Sequence, residues 1–261
     1  MSIFETIDPR FVASGLFGGF AIGLTGMGGG AILTPLLLAL GVSPTAAIGS
    51  DLVASLVMKP VAGSVHAKAR TVRWDLVRWL SIGSVPAAFA GVAASKWLTR
   101  NGDGGLRRAI GLTLLMASAA IIVRGIRARR SPTPTTSGTI RPAIRPVPTV
   151  ALGIVGGFLV GLTSVGSGSL MVVALTMLYP KLSSSELVGT DLVQAIPLVA
   201  AAALGHVLIG NFQLGLTAAL LIGGVPGAYF GARLSSSSTT RFVRPALITI
   251  LVASATKLLL V

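Results

Sequence analysis

Apolar residues run through the chain in eight stretches, roughly 11–41, 44–67, 76–98, 106–123, 149–179, 185–209, 212–233 and 242–261. About 20 apolar residues cross the hydrocarbon layer of a bilayer as one helix, so most of these stretches read as single crossings. Two are too long. The stretches 11–41 and 149–179 hold about 31 residues each, and glycines break both near the middle, at 26–30 and 165–168. The opening Met1-Ser2-Ile3-Phe4-Glu5 lacks the basic start of a cleavable signal, so the first stretch is expected to stay in the mature protein.

Residues 124–148 break the pattern. Six arginines, Arg124, Arg127, Arg129, Arg130, Arg141 and Arg145, alternate there with prolines, serines and threonines. Such a composition builds no core and reads as a basic, proline-rich cytoplasmic linker. It divides the chain into a first transmembrane unit, 1–123, and a second, 149–261.

The two units resemble each other in order and spacing. Gly15-x-x-Gly18-Gly19-Phe20-x-x-Gly23-Leu24-Thr25 recurs as Gly153-x-x-Gly156-Gly157-Phe158-x-x-Gly161-Leu162-Thr163. Gly28-Gly29-Gly30 matches Gly166-Ser167-Gly168, and after a two-residue insertion Gly49-Ser50-Asp51-Leu52-Val53 matches Gly189-Thr190-Asp191-Leu192-Val193. In that register His66 falls on His206, Val85-Pro86 on Val225-Pro226, and Gly91 on Gly231. Repeats in a membrane chain point to a transporter whose site lies where the repeats meet, near the bilayer midplane. If each long first stretch folds back at its glycines as a helix hairpin, the repeats are inverted. That reading puts Lys68, Arg70, Arg73, Arg78, Arg233, Arg241 and Arg244 on the linker's side, which satisfies the positive-inside rule better than a parallel arrangement does.

Composition supports the membrane reading. Hydrophobic residues make up 52% of the chain and charged ones 11%, against roughly 25% charged in soluble domains. The mean hydropathy is +0.86. These values exclude an ordinary soluble enzyme, and the formal charge of +14 lies mostly in short loops, where it orients helices and calls for no nucleic acid. With no cysteine, disulfides and thiolate metal sites are excluded, and no cofactor or metal is expected. Trp74, Trp79 and Trp97 lie near segment ends, where they read as interface anchors.

The candidate chemistry follows from what a membrane tolerates. Broken backbone survives there only when protein buries it or a wet cavity adjoins it, and helix N-termini at such breaks attract anions. The helical runs are expected to resume at Ala31 and Ser169. The candidate anion contacts are therefore Thr25, Gly28, Gly29, Gly30, Thr163, Ser164, Gly166, Ser167, Gly168 and Ser169. Lys59 joins them as a cation well inside an apolar segment, which is functional by default, with snorkelling to the surface near Pro60 as the alternative, and Gln194, one turn after Asp191, adds a polar contact. Asp51, His66, Asp191 and His206 are candidate proton-coupling groups, with capping as the structural alternative for the two aspartates and an interfacial structural role as that for the two histidines. Gly166-Ser167-Gly168 with His206 suggests a serine protease dyad only superficially, because the first unit has Gly29 where the second has Ser167.

The glycine-rich starts of both units carry a resemblance, together with Pro35, the Gly-Ser/Thr-Asp motifs at 49–51 and 189–191, His66 followed by Arg70-Thr71-Val72-Arg73-Trp74, and Val85-Pro86 through Gly91. In these the chain resembles the sulfite exporter TauE/SafE family of bacterial membrane permeases. The resemblance implies an all-α polytopic protein of the cell membrane that exports sulfite, sulfonates or related small sulfur-containing anions by alternating access. A channel-like uniporter and a non-transporting scaffold are the alternatives. The expected partners are a small anionic substrate and membrane lipids, and a homo-oligomer is allowed. Lys59 faces Val199 in the repeat register, so the two half-sites are chemically unequal.

The topology is directly testable. Single cysteines at Glu5 and Thr135 should label from opposite faces of the membrane, Thr135→Cys from the cytoplasmic side. Labelling of both from one face would exclude the hairpin reading.

Overall fold

The computed structural model describes residues 8–25, 29–68, 71–100, 102–130, 143–235 and 240–260. Among them it is all helical, without strands. Helix α1 spans Pro9–Thr25. A single 3₁₀ turn, Gly29–Ala31, leads into the short α2, Leu33–Ala39. Then follow α3 (Pro44–Lys68), α4 (Trp74–Leu98) and α5 (Gly104–Arg130). The second half holds α6 (Pro146–Thr163), α7 (Ser169–Leu178), α8 (Ser184–Leu208), α9 (Leu214–Ser235) and α10 (Thr240–Leu260).

Among the described residues six helices, α3, α4, α5, α6, α8 and α9, contain stretches long and apolar enough to cross a membrane. The protein is an all-α polytopic membrane protein. Trp74 and Trp79 near one end of α4 and Trp97 at the other are exposed. The 18 residues from Trp79 to Trp97 span about 27 Å of helix, close to the hydrocarbon thickness.

Both long apolar stretches are broken. Leu33 of α2 packs against Gly18 of α1, and Met171 of α7 packs against Gly156 of α6. A straight helix would hold residues fifteen apart about 22 Å from each other, so in both places the chain turns back. The helix resumes at Ser169 as expected, but at the first break it resumes at Leu33 and not at Ala31. The intervening residues are taken up by the tight turn, whose Gly30 is pressed against the Ser164 main chain. Helix α5 runs through to Arg130, seven residues into the expected linker, because Arg and Ala favour the helix. Proline at the start of α6 likewise fits the first turn.

Glycine sets how the helices meet. Gly15, Gly19 and Gly23 of α1 lie against the main chain of Leu220, Gly224 and Ala228 of α9, and Gly223, Gly227 and Gly231 of α9 lie against Val12, Leu16 and Phe20 of α1. Gly153, Gly157 and Gly161 of α6 meet Leu80, Ser84 and Ala88 of α4 in the same way. Both sets advance together, so α1 runs in the sense of α9 and α6 in the sense of α4. Helices α3 and α8 form the enclosed centre and run oppositely. Gly49 lies at Asn211, Gly63 towards Ile196, and Gly189 at Thr71. Helix α5 packs on α10 and on α7 at the side, with Leu106, Ile110 and Leu114 buried in one core cluster with Leu251 and Ala255 of α10.

These backbone contacts leave no room for a side chain. Gly19→Leu or Gly157→Leu should destabilise the protein by about 3 kcal/mol, the upper range for overpacking. Gly104→Ala, which has open space around it, should leave the melting temperature in detergent within about a degree of wild type. A Gly157→Leu protein melting like wild type would contradict the packing of α6 on α4.

Candidate functional site

Asp51, Ser55 and Lys59 are spaced four apart on α3, so their side chains stack on one face of the helix. All three are buried, Lys59 at 2% exposure. Asp51 holds together three elements. Its Oδ2 accepts hydrogen bonds from Thr34 Oγ1 of α2 at 2.9 Å and from Ser164 Oγ of the second break at 2.8 Å. Its Oδ1 accepts from Ser55 Oγ at 3.2 Å. A buried carboxylate with three hydroxyl donors keeps its charge compensated without a direct ion pair.

Lys59 reaches across to the other half of the chain. Its Nζ donates to Ser167 Oγ at 2.8 Å, which occupies one of the three ammonium protons. The ammonium also interacts electrostatically with two carboxylates, Asp191 first and Asp51 second. No ion pair within salt-bridge distance joins Lys59 to either of them among the described residues. Gln194, one turn beyond Asp191 on α8, donates from Nε2 to Ser84 Oγ of α4 at 2.8 Å. Its buried Oε1 has no hydrogen-bond partner among the described residues.

The second break presents these groups through its backbone. Thr163 Oγ1 donates to the Leu159 carbonyl at 2.8 Å and accepts from the Val165 N–H at 3.2 Å, closing the end of α6. Ser164 takes a left-handed conformation, φ 60°, and Gly166 and Gly168 have φ of 123° and 102°. Glycine reaches the last two angles without the Cβ penalty. The breaks touch each other, since a Cβ on Gly30 would collide with the Ser164 carbonyl and hydroxyl.

The structure therefore brings together Gly30, Asp51, Lys59, Ser164 and Ser167, with Asp191 in electrostatic reach of Lys59; Gln194 is tied to Ser84 of α4 and not to these groups. Thr163 contributes to the break's own closure. Gly29 lies in the 3₁₀ turn, and Ser169 begins α7. Gly28, and the side chains of Thr25, His66 and Ser169, lie outside the described residues. His206 stands apart, fifteen residues after Asp191 on α8, or about 22 Å along the axis. Its Nε2 bonds the Gly161 carbonyl at 2.8 Å and its Nδ1 faces Asn211 Nδ2 at 3.4 Å. With Nε2 donating and Nδ1 accepting, both ring nitrogens of a neutral imidazole are used.

The capping alternative for the aspartates is corrected by where the helices start. Helices α3 and α8 begin at Pro44 and Ser184, which puts Asp51 and Asp191 two turns inside. The cap of α8 is Ser183, paired with Glu186 in a capping box.

A family model described as sulfite exporter TauE/SafE matches residues 11–258. The chain belongs to this family. Among its relatives is the probable membrane transporter protein YjnA of Bacillus subtilis (strain 168), 35% identical over 97% of this chain and 100% of that protein. The probable membrane transporter proteins YunE and YdhB of the same organism are each 26% identical, over 87% and 84% of this chain and 86% of each relative. No solved structure matches. This TauE/SafE protein is thus a multi-pass membrane transporter, and a bacterial plasma membrane is consistent with it.

Three residues bonded to the candidate groups escaped the sequence reading: Thr34, Ser55 and Ser84. Ser55 carried a signal, standing four residues from both Asp51 and Lys59. Thr34 and Ser84 carried none, because their roles depend on helices brought together only by folding.

Asp51 ties α2, α3 and the second break together, and Asp51→Asn should destabilise the protein by about 1–3 kcal/mol through weakened acceptor bonds to buried hydroxyls. Ser55→Ala should cost less, about 1 kcal/mol. Thermal unfolding in detergent checks both, and a larger loss for Ser55→Ala than for Asp51→Asn would reverse the assignment.

Proposed function

We propose that the protein is a secondary transporter that exports a small sulfur-containing anion, such as sulfite or a sulfonate, by alternating access at this central cluster. The observation that carries the reading is Lys59, a cation at 2% exposure whose bonded partner is the neutral hydroxyl of Ser167. A buried ammonium whose bonded partner is a neutral hydroxyl is expensive, and an anion arriving beside Ser164 and Ser167 would pair with it directly, which neither carboxylate does within salt-bridge distance among the described residues. The hydroxyls offer donors for oxyanion oxygens, and the glycines let main chain approach the ligand.

The two units are, in this proposal, inverted copies. Support comes from helix sense: α1, α3 and α9 run one way, α4, α6 and α8 the other, so the elements carrying matching motifs (α1 and α6, α3 and α8, α4 and α9) are opposed. Residues 1–123 and 149–261 would be the two copies, with the basic segment joining them on the cytoplasmic side.

Charge counting favours a proton partner. Among the described residues Asp51 and Asp191 set two carboxylates against the ammonium of Lys59, so an added anion is favoured where a carboxylate takes up a proton. Proton coupling is therefore assigned first to these aspartates. His206 is less suited, because both of its ring nitrogens are engaged.

Liposomes containing only this protein should take up sulfite saturably, faster with a proton gradient than without one. A non-saturating flux would favour a channel, and no flux of any sulfur oxyanion or sulfonate would remove the reading. Within it, Lys59→Met should weaken anion affinity by at least about tenfold, the scale of a lost charge-assisted bond, with melting temperature kept. Lys59→Arg should retain part of the affinity, since charge remains while geometry changes. Unchanged affinity in Lys59→Met would make the lysine structural.

A further inference from the structure

The Gly-Ser/Thr-Asp motif occurs twice, at 49–51 and 189–191, and only its aspartates enter the central cluster. Its first two residues do something else, and do it at both ends of the molecule. At one end the N–H of Arg73, in the connector between α3 and α4, donates to Thr190 Oγ1 of α8 at 3.0 Å. At the other the N–H of Gln213, in the connector between α8 and α9, donates to Ser50 Oγ of α3 at 3.3 Å. Ser50 and Thr190 are both fully buried. The glycines make the approach possible: a Cβ on Gly189 would strike Thr71, and one on Gly49 would strike the Asn211 carbonyl. Every member has its counterpart in the repeat register. Gly49 answers to Gly189, Ser50 to Thr190, Thr71 to Asn211 and Arg73 to Gln213.

We infer that these two hydroxyl–amide contacts are paired latches, each closing one end of the central site, and that transport requires them to open in turn. The inference rests on the alternating-access reading above. It gives each motif residue a task. Glycine admits the connector's main chain, the hydroxyl holds its N–H, and the aspartate faces the interior. Helices α3 and α8 run oppositely, so the start of one lies beside the end of the other, and the two latches fall on opposite faces. In this structure both are closed, in keeping with the burial of Lys59, Asp51 and Asp191. Their reinforcement differs. The Arg73 connector is braced by an ion pair to Asp75, with N–O distances of 2.6 and 3.1 Å. The other is braced by His206, whose carbonyl accepts the Asn211 N–H at 2.9 Å and whose ring faces the Asn211 side chain. This places His206 at a latch, apart from the central charges.

The natural absence of cysteine makes the test clean. A single reporter, Val199→Cys, lies buried on α8 and is labelled with a membrane-impermeant thiol reagent applied to one face or the other. Ser50→Ala should raise its labelling rate from one face by about fivefold, the scale of one lost hydrogen bond. Thr190→Val should raise it by a similar factor from the opposite face. A rise from the same face in both, from both faces equally, or in neither would overturn the latches. A second measurement guards against a misfolded variant. The pairs Ser50→Cys/Gln213→Cys and Arg73→Cys/Thr190→Cys, each oxidised separately, should stop anion uptake, and reductant should restore it. Undiminished uptake by either cross-linked pair would overturn the inference as well. The labelling needs no substrate, so it reads the latches even if no anion is carried. Saturable uptake by the wild type with unchanged labelling would leave the transport reading standing and remove the latches alone.

Discussion

The constraint on which the structure depends is direct contact of main chain with main chain between helices from different halves. Lipid tails are as apolar as leucine, so helices in a bilayer gain little from hiding apolar side chains from it. Close packing and polar contacts must hold them. Here glycines every four residues strip one face of α1 and one of α6 down to the backbone. Carbonyls of α9 and α4 fill the space. Each half thereby lends its first helix to the other. The exchange forces α3 and α8 together at the centre and brings the two helix breaks face to face.

Once the breaks meet, the cluster between them follows. An irregular backbone inside a membrane must be satisfied by protein, and here the second break is tied by Thr163 to its own helix. Ser164 ties it to Asp51 and Ser167 ties it to Lys59. The tie is lopsided. The polar face of α3 meets serines of the second break. Where the repeat register would call for the reciprocal contact, there is glycine at 29 and valine at 199. Among the described residues the cluster is thus asymmetric, with Lys59 and the serines of the second break on one side of it. Prolines inside α3, α4, α8 and α9, at 60, 86, 197 and 226, interrupt the helical hydrogen bonds and give these helices places to bend.

The two ends of the molecule are built from the same means. A glycine lets a connector lie on a helix start, and an adjacent hydroxyl holds its N–H. The contacts are short-range and few, unlike the continuous backbone packing of α1 on α9 and α4 on α6. The proposed opening of the ends with the frame kept calls for that difference in strength.

Much was legible in the chain itself. Apolar stretches of crossing length, two over-long stretches with glycine in the middle, and loop arginines fix a polytopic helical protein, because the bilayer sets both the length and the polarity of what crosses it. Lys59 and Asp51 announced themselves for the same reason, since charge in an apolar segment is too expensive to be incidental. Tertiary structure alone decided their partners. That Lys59 finds Ser167, that Asp51 collects Thr34 and Ser164, and that Gln194 finds Ser84 are contacts between residues 17 to 113 positions apart. Sequence periodicity describes one helix at a time and carries no signal for such distances. His206 shows the limit from the other side. As one of two histidines in the chain it read equally as a titrating group or an interfacial structural residue, and folding carried it to the end of α8, where a carbonyl and an amide take up its ring.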